Sequence, residues 1–150
     1  MRDNRRLLLG LLLIGMIGTN LELLLLGHTE EFAQWAPLAL LALGTVAALL
    51  CVRPRPAAIR TLRVVMIGFL ITGVAGLVLH YRGNAEFELE RVPTLGGLEL
   101  VWEAVRGATP ALAPGAMILI GLMGLLFCYR HPGLTEDPAP TDRRPQDEPA

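Results

Sequence analysis

The chain has 150 residues, 53% hydrophobic, 5% aromatic and 18% charged, with a net charge of −1. Its 13 basic residues, all arginine, nearly balance 14 acidic ones, so the total charge favours no acidic partner; no basic stripe with interleaved aromatics argues for nucleic acid either. Four long apolar runs separated by charged segments exceed what one soluble core of this size would need, and lipid is their natural solvent.

MRDNRR is a short basic head. The run LLLGLLLIGMIGTNLELLLL, residues 7–26, carries one charge over 20 residues. That is enough to cross a hydrocarbon core of about 30 Å at about 1.5 Å per residue. It exceeds a signal-peptide core and no convincing cleavage site follows, so it reads as a retained helix. GHTEEFAQ is a polar hairpin, and residues 35–52 form a second span with Pro37 in its first turn, where amides lack helical partners anyway. RPRPAAIRTLR is a basic, proline-broken link before a third span over residues 64–81.

Residues 82–109 make a long polar loop. Within it AEFELERV alternates Glu86, Glu88 and Glu90 with Phe87 and Leu89, a pattern that predicts a short strand. TLGGLELVWEAVRG sets Leu95, Leu98, Trp102 and Val105 against Glu99, Glu103 and Arg106, which predicts an amphipathic helix ending at Gly107. Trp102 suits the headgroup level, so an interfacial helix is expected, with a lid over the bundle as the alternative. A fourth span is expected over about residues 110–129, capped by Thr109 and Pro110. Residues 132–150 are proline- and acid-rich, as expected of a disordered tail. The fold class is therefore all-α: a polytopic four-helix membrane bundle over residues 1–131, with an extracytoplasmic loop holding a short amphipathic helix.

Arginines set the orientation. Arg2, Arg5 and Arg6 lie in the head, Arg53, Arg55, Arg60 and Arg63 in the first link, and Arg130 beyond the last span, whereas the 82–109 loop spreads three among five glutamates. The positive-inside rule places both termini in the cytoplasm of a bacterium, with the chain in its inner membrane.

Helices in lipid approach closely at small residues. Gly68, Thr72, Gly76 and His80 recur at intervals of four in span three; span one offers Gly15, Gly18, Thr19 and Glu22, span two Gly44 and Ala48, span four Gly121, Gly124 and Cys128. Gly68, Thr72, Gly76, Gly121 and Gly124 are the expected packing positions. Two seam residues are ionisable. Glu22 lies about 22 Å along span one and His80 about 24 Å along span three, and both spans run outward, so the two share a depth. An intramembrane carboxylate needs a partner or water. The first expectation is a polar clamp of Thr19, Asn20, Glu22, His80 and Arg82 that fixes helix register. The alternative is a site of Glu22, His28 and His80 for a divalent metal or for protons, since imidazole and carboxylate suit zinc-like ions.

Cys51, Cys128 and His131 fall near the cytoplasmic edge without metal-site spacing and read as apolar packing. No phosphate loop, nucleophile elbow or metalloprotease motif occurs. The function expected first is that of a non-enzymatic accessory or structural membrane protein, acting through a membrane-protein partner or as a homo-oligomer, with no resident cofactor. A small transporter or ion-binding protein comes second, and a membrane enzyme acting on lipid or quinone third.

Overall fold

Where a helix stops is decided by what its last carbonyls find, and the first helix shows it. In the computed structural model, which describes residues 2–107 and 114–134, helix α1 runs from Arg2 to Leu25. Gly27 then takes φ +67°, the left-handed backbone that glycine adopts without steric cost. This lets the Gly27 amide donate to Leu24 O (3.1 Å) and the His28 amide to Leu23 O (2.9 Å), a Schellman ending. The polar hairpin closes on Gln34, whose Oε1 accepts from the Glu30 amide at 2.9 Å. A short 3-10 turn at Phe32–Gln34 leads into α2, Trp35–Leu50.

Helix α3 spans Pro56–Arg91, 36 residues or about 54 Å, far longer than the expected 64–81. It begins inside the arginine link because Pro56 sits in the first turn, where its missing N–H costs nothing. It also runs through residues 86–90, so the expected strand there is a helix. Extending an existing helix by a residue is cheaper than nucleating anything new. Glu88 and Asn84, four apart, are buried, while Phe87 and Leu89 face out. Glutamates alternating with apolar residues satisfy that helical face as well as they would a strand.

Helix α4, Gly97–Arg106, coincides with the expected amphipathic segment and ends at Gly107. Helix α5, Gly115–Cys128, is followed by a 3-10 turn at Pro132–Leu134. Every regular element among the described residues is helical. Three stretches, Asp3–Leu25, Phe32–Leu50 and Pro56–Arg91, are long and apolar enough to cross a membrane, which points to a membrane protein. The 14 residues of α5 cover only about 21 Å. Residues 108–113, which the expected fourth span and its Thr109–Pro110 cap include, lie outside the described residues, as does the tail beyond Leu134.

Four helices pack in a ring: α1 against α2 and α5, α3 against α2 and α5, which leaves α1 and α3 on a diagonal. Leu12, Met16, Leu41, Met66 and Phe69 fill the centre and are fully buried. Glycines admit them. A Cβ on Gly44 would lie 2.8 Å from Met16 Sδ and 3.0 Å from the Phe69 ring, and one on Gly124 would collide with Met66. Gly121 sits against the Met66 carbonyl, Gly68 against Leu40, and Gly76 against Pro114. Gly73, outside the predicted seam, makes an equally close approach to Ile118 and the Pro114 carbonyl. Helix α1 behaves differently: it buries Leu9, Leu12 and Met16, while Gly18, a member of its predicted seam, has nothing within 4 Å. In lipid the small-residue rule tells where backbones can meet, not where they do.

Candidate functional site

Two ends of the bundle carry polar chemistry: the near end, where α1 starts and α5 finishes, and the far end, where α1 finishes and α3 runs on. Glu22 lies roughly 120° around α1 from Met16 at 3.6 residues per turn, and it is exposed. Its carboxylate has no hydrogen bond or ion pair among the described residues. Thr19 and Asn20 are half-buried on the flanks of the buried stripe, Asn20 beside Thr45 of α2 at a shallow groove of about 340 Å³. The Thr45 hydroxyl is itself occupied, donating to Leu41 O at 2.8 Å. Arg82 is exposed. Thr72, on the α3 seam, is half-buried.

His28 and His80 both lie at the far end. The Schellman turn delivers His28, half-buried, toward His80. Its pKa is lowered, first by burial and then by the charge of His80. Atom Nδ1 of His80 is buried with no hydrogen-bond partner among the described residues, the kind of orphan that commonly marks strain or function. Two imidazoles can pass a proton or begin a metal site, but zinc-like ions want further N, S or O ligands. Among the described residues no group of three or more His, Cys, Asp or Glu side chains gathers where it could hold a metal ion.

Past His80, α3 and α4 form a helical hairpin. The buried Asn84 side chain donates to Ala104 O at 2.8 Å, and Gly107 lies so close to Asn84 that a Cβ there would stand 2.6 Å from it. Glu88 is 7% exposed and pairs with Arg91 at 2.6 Å. Only residues 92–96 join the two helices and Asn84 meets the last turn of α4, so α4 runs back along α3. Helix α4 packs on α3 rather than over the ring as a lid. It does so with Ala104, while Leu98 (87% exposed), Trp102 (60%) and Val101 (43%) face away on one stripe. Arg106 stacks over the Trp102 ring at 5.6 Å. Sequence reasoning missed Asn84 and Glu88, although they continue the interval of four from Gly76 and His80.

At the near end Arg5 of α1 reaches α5. Its guanidinium donates to Phe127 O (2.7 Å), Tyr129 O (3.1 Å) and Arg130 O (3.2 Å). Past the helix, Tyr129 is extended (ψ 123°) and Arg130 takes φ +45°. A cation over helix-terminal carbonyls is favourable both as a cap and against the dipole. His131 packs on Phe127 with ring centroids 5.0 Å apart, and its Nδ1 accepts from the Gly133 amide at 3.0 Å. Its pKa is lowered by burial and then by Arg5. Cys51 and Cys128 are free and buried in the same core, the Cys128 thiol donating to Ile59 O at 3.6 Å.

No protein-family model, curated protein or solved structure matches this chain.

Proposed function

We propose that the protein is a four-span component of a bacterial inner membrane, with both termini cytoplasmic, that works by contact with a membrane partner or with a second copy of itself. The supporting observation is the outward stripe of Leu98, Val101 and Trp102 on a hairpin whose buried polar groups are spent internally: Asn84 on Ala104 and Glu88 on Arg91. An ordered apolar stripe is a recognition element in water or at a bilayer surface, and aromatic anchors dominate such contacts. The Arg5 bonds to Phe127, Tyr129 and Arg130 hold the start of α1 beside the end of α5, which accords with an even number of crossings.

Leu98→Cys tests both parts in intact membranes, where the buried native cysteines give little background. A membrane-impermeant maleimide should label it from outside only, and a short bis-maleimide should give one discrete adduct. Trp102→Glu should remove that adduct. If Leu98→Cys crosslinks no better than Glu86→Cys, an exposed site elsewhere on the hairpin, the contact role fails.

A second reading, an ion-binding or transport role for Glu22, His28 and His80, draws on the two histidines at the far end and the orphaned His80 Nδ1. Zinc should then raise the melting temperature of the wild type and not of His80→Phe; equal responses would dismiss it.

A further inference from the structure

The corner between α2 and α3 carries a groove of about 660 Å³ that neither function above uses. Its walls are Leu49, Leu50, Val52 and Ala58, and its charged rim is Arg53 and Arg55. Leu49, Leu50 and Val52 are each more than half exposed, so this wall faces whatever surrounds the bundle. Neither guanidinium has a hydrogen bond or ion pair among the described residues, unlike Arg5 at the same end. No carboxylate occurs in the sequence between Glu31 and Glu86, and none lines the groove. Arg55 precedes Pro56 with extended backbone (φ −112°, ψ 150°), and the first turn of α3 has no acidic residue to occupy it.

We infer that this corner is a binding site for one anionic phospholipid of the leaflet in which it lies, with the phosphate held by Arg53 and Arg55 and the acyl chains along Leu49, Leu50 and Val52. Arginine forks match phosphate oxygens in a bidentate way, and the apolar wall continues directly from them, as a lipid's own polar and apolar parts do. Volumes of about 300–1,000 Å³ are ordinary for ligand sites, and basic recesses at the ends of membrane helices recognise lipid headgroups. The identity of the leaflet as cytoplasmic rests on the topology proposed above; the lipid's charge does not.

The test uses the full chain in mild detergent, titrated with dioleoyl phosphatidylglycerol or dioleoyl phosphatidylcholine and read by native mass spectrometry. The wild type should retain one phosphatidylglycerol in preference to phosphatidylcholine. Arg53→Gln with Arg55→Gln should cut that preference roughly ten- to thirtyfold. Arg6→Gln with Arg60→Gln removes equal charge from exposed positions outside the groove and should leave it unchanged. Absence of preference in the wild type, or equal loss in both double variants, overturns the site. Separately, Ala57→Cys should be labelled from the cytoplasmic face only; labelling from outside overturns the topology, while the detergent titration still decides the lipid site.

Discussion

Replacing Gly121 with alanine probes the close approach of α3 and α5. A Cβ at this position would stand 2.9 Å from Leu70 Cδ2, 3.0 Å from the Met66 carbonyl oxygen and 3.1 Å from Phe69 Cβ. The Leu70 methyl can rotate away. The carbonyl and the Phe69 Cβ are fixed to α3, so the two helices must part by about half an ångström to reach ordinary contact distances of about 3.5–4.0 Å. Overpacking of this kind costs about 1–3 kcal/mol, against which alanine returns up to about 1 kcal/mol in helix propensity. The net expectation is a loss of about 1–2 kcal/mol, or about 2–8 °C in Tm for a chain of this size. Gly18→Ala is the internal control, because nothing lies within 4 Å of its new methyl, and its Tm should hold or rise. Far-UV circular dichroism melts of both full-length variants in one mild detergent make the comparison. If Gly121→Ala unfolds at or above the temperature of Gly18→Ala, close backbone approach is not what holds α3 to α5.

At the near end, the lowered His131 pKa means that the unfolded chain, with its ordinary pKa near 6.5, binds the proton more readily than the folded one. Stability should be complete above about pH 6.5 and fall as the pH drops below it; His131→Phe should flatten that fall, and an unchanged pH profile would contradict the assignment. At the far end, Asn84→Ala removes the bond to Ala104 and should loosen α4 by about 1–2 kcal/mol. Amide exchange across residues 97–106 should accelerate while α1 and α2 stay protected, and uniform exchange would show that the hairpin is not a separate unit.

The amino-acid sequence alone determined which segments are apolar, roughly where the turns fall and which face of residues 97–106 is greasy, because hydropathy and period are local properties. Counted along the expected spans 7–26 and 64–81, Glu22 and His80 fall at similar depths. Tertiary structure decided what each group meets. Depth along a helix follows from counting residues, but azimuth and neighbour order depend on how ridges fit. Helices α1 and α3 ended on a diagonal, Glu22 turned outward, and the buried His80 Nδ1 was left without it. For the same reason residues 86–90 became helix. Their alternation admits either conformation in isolation, and packing of Asn84 on α4 with burial of Glu88 one turn on favours the helical one. Arg5 looked like one positive charge among several until packing of α1 on α5 brought three carbonyls at the end of α5 within its reach.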